Sequence, residues 1–578
     1  MRSYGTKPTN KLQAQPLIAA LSILSKMKIQ RCLVHCCYAV VGLVLLASTP
    51  TSAEKEDQIQ NSVGMSIAGG GVVAGLHGAA IMRGIQQQKV EIDGKMRPAM
   101  EAFDYLAGLS GGNIPIVLYA FAQTMDGTEI LDAEGEVTAP QDITAKKLCH
   151  TKKGSLFDLM SRRLALRVIP VFLAMKILKT KPKSVYNIAV YYTFIKPIGI
   201  KRNQFFGPTE LSENKDFVGV REDVKATPII TFGYVGPKEI FPLNLFKIDY
   251  EKDPRNPLGL EAGSPFSIED VEASLSKNDN LTSVLFSATP YEIVSHYDRS
   301  MSFDTIAPPN TKMVVEPLDF PVRPTKPSEW GSKKKRFSLE MLLGVSTNMF
   351  SVFRDMTELW QFREVDVTGK GDMRKLMLAD GGTNVPDGIP TLVQKRVRKI
   401  VHINFNLQGN TYAEVYRESE NLDVYSWMGR MGMFYMPFST YFGISPGGAG
   451  INSNLMNKIF DDGVSHMEKL RSNLDSLFLA ENPLVTTIEN ITVLDNPFWG
   501  TTAGDKVDLT FILMNLPEEG IIARGFRVGG VTVRQANMMA YLGSWIVDQA
   551  WDKPLLGDDG EEKFGGFKAI LDKNEVTH

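Results

Sequence analysis

Gly108-Leu109-Ser110-Gly111-Gly112 has the form G-x-S-x-G, a serine held on a sharp turn between a strand and a helix. Small neighbours are needed there, because the backbone is tight and the hydroxyl must stay accessible. The preceding Phe103-Asp104-Tyr105-Leu106-Ala107 is mostly apolar and predicts a buried strand. The following run, Ile114 through Phe121, predicts a buried helix with Pro115 in its first turn.

Two other segments have the same punctuation. Upstream, Met65-Ser66-Ile67-Ala68-Gly69-Gly70-Gly71-Val72-Val73-Ala74-Gly75 runs from an apolar strand into a helix over Leu76 to Gln88. Three consecutive glycines can turn bare amides toward a developing oxyanion, and a helix N-terminus behind them adds a favourable dipole. The same pattern also suits a turn that packs closely or holds a phosphate. Downstream, Lys375-Leu376-Met377-Leu378-Ala379-Asp380-Gly381-Gly382 ends an apolar strand in a carboxylate and two glycines. Such a carboxylate can accept a proton from a serine hydroxyl, or simply form an Asx-type turn.

Taken together, GGG, GLSGG and LADGG resemble the catalytic set of the group IV cytosolic phospholipase A and fungal phospholipase B (lysophospholipase) family, a relative of patatin. Ala288-Thr289-Pro290-Tyr291-Glu292-Ile293 is similar to that family's T-P-Y-E segment, and Leu343 to Phe350 to its G-T-S-S…F segment. Ile389-Pro390-Thr391-Leu392-Val393 followed by Arg396 to Phe405 is similar to its I-P-L-x-P-L and subsequent strand. The likeness spans roughly residues 63 to 410, with long divergent stretches between motifs. It implies an α/β fold: a three-layer patatin-like catalytic domain with a central, mostly parallel mixed sheet and inserted lid segments. It also implies a Ser–Asp dyad without histidine. Ser110 would be the nucleophile and Asp380 the base. Gly70 and Gly71, with Gly69 and the amide of Gly111, would form the oxyanion hole. The implied substrate is a phospholipid or lysophospholipid at a membrane surface, anionic by the basic stretch described below. One position departs from the family. An arginine usually stands two residues past the glycine run and is linked to the lipid phosphate; here it is Val73, which has no guanidinium to grip a phosphate.

Chain order also permits a conventional triad, with Ser110 and Asp380 followed by His402 or His466. His402 lies in Ile400-Val401-His402-Ile403-Asn404-Phe405 and reads as a strand side chain; His466 reads as a polar helical position. A third reading is a non-catalytic lipid- or membrane-binding relative, which Val73 favours.

The chain has 578 residues, 43% of them hydrophobic, and a net charge of −2. That suffices for a large core, and the charge carries no nucleic-acid signature. Residues 1–53 read as a targeting segment. A basic flank (Lys26, Lys28, Arg31) precedes the apolar run Cys32 to Ala47, and small residues lead to a cleavage point after Ala53. Met27 is an alternative start. A cleaved signal is favoured over a signal-anchor, which places the protein in the secretory pathway. Asn280-Leu281-Thr282 and Asn490-Ile491-Thr492 are sequons compatible with that route. Residues 54–578 then form the catalytic domain. Its only cysteine is Cys149, beside Lys146, Lys147 and His150, with a structural role favoured over a reactive one. No CxxC, HExxH or EF-hand pattern occurs, so no metal and no cofactor is expected. No protein partner can be inferred.

Residues 151–202 carry twelve Lys or Arg against one acid, Asp158, interleaved with the apolar runs Val168–Ile177 and Val185–Ile200. The stretch reads either as a lid that touches an anionic membrane or as a core helix with a solvated basic face. Asp126 to Ala145 reads as an acidic loop, and 251–335 as a surface excursion ending in the basic cluster Lys333 to Arg336. Further helices are expected over Ser338–Phe362 and Ala536–Trp551, and strands over Pro228–Gly233 and Ile400–Phe405. The Met- and aromatic-rich run Met428 to Tyr441 suits adaptable acyl contacts or ordinary core.

Overall fold

The computed structural model describes residues 61–161, 185–202, 204–211, 213–235, 264–267, 269–270, 283–295, 314–315, 321–322, 335–336, 338–348, 363–366, 375–383, 385–404, 412–419, 422–424, 427, 438–445, 457–461, 463–496, 499–514, 531–556, 562–563 and 566–572. The leader, residues 162–184, Asn280, Lys333–Lys334, 349–362 and 428–437 lie outside them; the helix expected over Ser338–Phe362 ends at Ser346, with Thr347 as its C-cap.

The principal strands are β1 (Val63–Ile67), β2 (Tyr105–Leu109), β3 (Thr227–Val235), β4 (Ser283–Ala288), β5 (Lys375–Asp380), β6 (Lys399–Asn404), β7 (Leu484–Thr492) and β8 (Lys506–Leu513). The principal helices are α1 (Gly71–Gln87), α2 (Asn113–Phe121), α3 (Val185–Val190), α4 (Leu339–Ser346), α5 (Ile389–Gln394), α6 (Gly463–Leu479) and α7 (Val533–Trp551). Strands β3, β2, β1, β6 and β8 are neighbours in that order, every pair parallel. Antiparallel β7 flanks β8, and antiparallel β4 and β5 flank β3. This is an α/β fold around a mixed, mostly parallel sheet.

The layers follow from residue alternation. Along β6, Val401 and Ile403 join one core with Val63, Met65 and Ile67 of β1 and with α1, α2 and α7. Ile400 joins the other core with Leu109, Leu509 and Phe511, α5 and α6. Each face of the sheet is thus covered by helices, giving three layers. Strands buried on both faces read as nearly continuous apolar runs, as those flanking the motifs do.

Helix α1 has four interior or near-terminal glycines, although each costs a helix roughly 1 kcal/mol against alanine. Close packing accounts for three of them. A Cβ on Gly78 would lie 2.6 Å from the Ile67 side chain; on Gly84, 2.9 Å from the Ser544 backbone; on Gly75, 2.6 Å from the Gly111 carbonyl. Gly543 of α7 answers Gly84, since its Cβ would lie 2.6 Å from the Ala80 backbone. Arg83, buried in the same contact, reaches Ser544 Oγ and the Ala540 and Asp132 carbonyls.

Some expectations change. The acidic segment 126–145 is not a plain loop: Asp126 caps a short helix, Gly127–Ile130, through a capping box with Glu129, and a second, Ala145–Cys149, is capped by Thr144. Charge hid these caps because acids serve equally in loops and at helix starts. Residues 185–200 place Val190, Phe194, Ile195, Ile198 and Ile200 in the core, leaving Tyr192 exposed with the Lys196 ammonium 5.1 Å from its ring. Cys149 is exposed, with Arg534 Nε 3.4 Å from its sulfur. Among the described residues no helix is long and apolar enough to cross a membrane.

The α1–α7 contact predicts that Gly543→Leu, which must push the helices apart, lowers the unfolding free energy by about 1–3 kcal/mol, read as a lower midpoint of chemical denaturation. An unchanged midpoint would contradict the close approach.

Candidate functional site

Strand β3 has two edges. One is occupied by β4, from Ile230 opposite Ala288 to Val235 opposite Ser283. The other changes partner midway: Thr227 to Thr231 pair with Tyr105 to Leu109 of β2, and Phe232 to Val235 pair with Asp380 to Met377 of β5. Strand β2 is parallel to β3 and β5 antiparallel to it, so their C-terminal ends meet head-on. Leu109 faces Thr231, and Asp380 faces the next residue, Phe232. Both chains must turn away at once. The first does so at Ser110, whose φ of 50° lies in the left-handed region, a conformation that costs a non-glycine residue about 1–3 kcal/mol. The second does so at Gly381-Gly382. A Cβ on Gly381 would lie 2.7 Å from the Leu109 side chain, so the turn has no room for one.

This collision of strand ends brings together two side chains 270 residues apart. Ser110 Oγ donates a hydrogen bond of 2.6 Å to Asp380 Oδ2. The other carboxylate oxygen accepts the Gly382 amide at 2.9 Å. Both residues are buried, Ser110 at 7% exposure and Asp380 at 2%. Burial pushes the Asp380 pKa up from 3.8 to about 7, against the bonds from Ser110 and Gly382 that favour the charged form. A carboxylate poised near neutrality can take a proton from the hydroxyl it already touches.

The glycine run lies beside this pair. A Cβ on Gly69 would be 3.3 Å from Ser110 Cβ, and one on Gly111 would overlap the Gly71 carbonyl. Gly70 and Gly71 have φ of 140° and 71°, which turn β1 into the N-terminus of α1. The structure therefore brings together Ser110, Asp380, Gly69, Gly70, Gly71 and Gly111. The Gly69 amide is committed elsewhere, since it donates to the Pro386 carbonyl at 2.9 Å. The Gly69 amide is therefore not open to the expected oxyanion role. Val73 is half-buried in the first turn of α1, packed against Ala68 and Ala74.

Neither histidine joins the pair. The direct Ser110–Asp380 bond leaves no place for an imidazole between them. His402 Nδ1 lies 3.4 Å from Ser66 Oγ, and its Nε2 lies 3.6 Å from Asp387 Oδ2. Burial lowers its pKa to about 3, so the ring is neutral. His466, on α6, lies against the Phe442 ring.

Sequence reading missed the residues that hold the turns. Asp387 accepts the Ile389 amide at 2.8 Å and the Tyr441 hydroxyl at 3.0 Å, while the Gly388 amide donates to Ser66 Oγ at 3.1 Å. The segment Pro386-Asp387-Gly388 thereby links the Asp380 turn to the glycine run. Asn113 binds the backbone of Thr231. Only the isolated polarity of Asn113 ahead of an apolar helix signalled it.

No protein-family model matches this chain, nor does any curated protein. Among solved structures, human GIVD cytosolic phospholipase A2 aligns with 85% of this chain and 59% of its own, at 11% identity and a TM-score of 0.36. The same human enzyme in complex with methyl gamma-linolenyl fluorophosphonate aligns with 86% of this chain and 58% of its own, at 11% identity and a TM-score of 0.34. The chain spans less than three fifths of the length of these structures.

The buried carboxyl has a sign that can be checked. Its folded pKa is raised, so it contributes stability at low pH and loses that contribution as pH rises from about 3.8 through about 7. Asp380→Asn removes this loss. The melting temperature of the variant should therefore gain on wild type between about pH 5 and about pH 8. A constant difference across that range would show that Asp380 does not titrate there.

Proposed function

We propose that this protein is a serine acyl hydrolase that cleaves fatty-acyl ester bonds of phospholipids or lysophospholipids. The observation that supports this reading best is the 2.6 Å bond from Ser110 Oγ to a buried carboxylate with no histidine between them. In the proposed reaction Asp380 takes the Ser110 proton as Oγ attacks the ester carbonyl carbon. The amides of Gly70, Gly71 and Gly111 receive the negative charge on the carbonyl oxygen; one such donor is typically worth about 3 kcal/mol. The tetrahedral intermediate collapses, the C–O bond to the lysolipid or glycerol portion breaks, and protonated Asp380 returns its proton to the leaving oxygen. Water, deprotonated by the same carboxylate, then attacks the acyl-enzyme carbonyl; the bond from carbon to Oγ breaks, Asp380 returns the proton to Oγ, and fatty acid and free serine are released.

The raised Asp380 pKa makes this base effective. At its ordinary value a carboxylate is a weak proton acceptor; near 7 it combines a useful ionised fraction with greater basicity. Activity should accordingly rise with pH through about 7.

With Val73 in place of the arginine, phosphate recognition falls to other groups, and tolerance of several headgroups, phosphate-free ones included, belongs to the reading. Delivery through the secretory pathway and contact of the basic 151–202 stretch with an anionic bilayer complete the proposal. The exposed Tyr192 and its partner Lys196 are the described residues of that stretch best suited to an interface.

A panel of phospho- and non-phospholipids tests it, run with wild type, Ser110→Ala and Asp380→Ala. Wild type should release fatty acid, and either variant should lose at least about a thousandfold in kcat. An alkyl fluorophosphonate should label wild type at Ser110 and leave Ser110→Ala unlabelled. Vesicle binding by wild type with neither turnover nor labelling would refute the hydrolase and leave a lipid-binding protein.

A further inference from the structure

The edge of β3 that changes partner has a junction. Strand β2 leaves it after Leu109, opposite Thr231, and β5 joins it at Asp380, opposite Phe232. Thr231 stands at this junction, in register with Leu109 of β2 and with Ser287 of β4, and a side chain binds both of its main-chain groups. Asn113 Nδ2 donates to the Thr231 carbonyl at 2.9 Å, and the Thr231 amide donates to Asn113 Oδ1 at 3.3 Å. A carboxamide has the donor and acceptor of a peptide group, so Asn113 ties the start of α2 to both main-chain groups of Thr231. The Thr231 hydroxyl adds a bond of 2.5 Å to the Gly108 carbonyl on the nucleophile strand. Asn113 is fully buried and is the first residue of α2, three positions after Ser110.

We infer that Asn113 is a positioning residue for the Ser110–Asp380 pair. It fixes the serine turn to the strand that carries the aspartate as its next-register partner, and so sets the Oγ–carboxylate separation. The inference rests on the acyl-hydrolase reading above and adds to it a residue that touches neither substrate nor reacting atoms. Ser110 has a left-handed backbone, a conformation that its surroundings must hold. With α2 loosened from β3, the turn can relax and the hydroxyl withdraws. Asn113→Ala removes both bonds. Asn113→Asp keeps the shape, and in this buried position its carboxyl, held neutral by desolvation, can still donate to the Thr231 carbonyl while accepting its amide.

The test compares wild type, Asn113→Ala, Asn113→Asp and Leu474→Ala, with Ser110→Ala as the inactive control. Leu474 is a buried core residue of α6 on the other face of the sheet; its truncation reports the effect of lost stability alone. Asn113→Ala should lower kcat by about 10- to 100-fold with KM within about twofold, as a displacement near 1 Å does. Labelling of Ser110 by an alkyl fluorophosphonate should slow by the same factor. The pH midpoint of kcat should move upward, because Asp380 loses the serine bond that favours its charged form. Asn113→Asp should recover most of the rate, and Leu474→Ala should keep the wild-type pH midpoint. A folded Asn113→Ala with wild-type kcat and midpoint overturns the inference. So does a loss matched by Leu474→Ala at equal stability. If Asn113→Ala does not fold, Asn113→Asp carries the test: recovery of rate and midpoint supports positioning, and a midpoint moved without recovery of rate refutes the carboxamide-mimic. Wild type that neither turns over lipid nor takes the label overturns the hydrolase reading instead, a result distinct from the others.

Discussion

Two strands ending head-on against one edge of a third leave almost no space, and most of the site follows from that crowding. Strand β2 arrives parallel to β3, β5 arrives antiparallel, and their last residues occupy adjacent registers. Neither chain can continue. One must bend within a residue, and does so at Ser110 in the left-handed region; the other escapes through Gly381, where a Cβ would strike Leu109. The contact between hydroxyl and carboxylate is thus a consequence of sheet topology. It lies beyond the carboxyl end of β2, a strand of the parallel core, on the side where α/β sheets commonly form their sites.

The glycine run is held to the same point from the other side. The Gly69 amide binds the Pro386 carbonyl, and the Gly388 amide binds Ser66 of β1. Asp387 anchors the intervening segment to Tyr441 and the Ile389 amide, with neutral His402 beside it. Burial raises the Asp387 pKa to about 7, as it does for Asp380. The two acids differ in their partners: Asp387 faces the Tyr441 phenol and the His402 imidazole, whereas Asp380 faces the Ser110 hydroxyl on the strained turn. The arrangement Ser66–His402–Asp387 has the residue types of a triad, yet all three are fully buried, which suits a structural polar network.

Helix α1 connects these local requirements to the rest of the protein. Its N-terminus abuts the Ser110 turn, with Gly75 against the Gly111 carbonyl, and its far half packs on α7 through Gly84 and Gly543. Glycine weakens the helix in isolation, but here it permits backbone-to-backbone approach at both ends. Displacement of α7 would therefore be felt at the amides of Gly70 and Gly71.

The amino-acid sequence by itself determined the three strand ends. An apolar run followed by GGG, GLSGG or DGG is a local signal, because glycine marks where a chain must turn without a Cβ and apolar continuity marks a strand buried on both faces. Helices α1, α2 and α7 were legible for the same reason, and the capping box of Asp126 and Glu129 was present in the sequence though overlooked. Only the tertiary structure decided that β2 and β5 share one edge of β3, and hence that Ser110 meets Asp380 directly and not through His402. Pairing of strand edges uses backbone groups that every residue possesses, so composition hardly encodes it. The partner of Asn113 is likewise a stretch of main chain, and the raised pKa of Asp380 comes from burial by residues distant along the chain. Such properties exist only once the chain has folded.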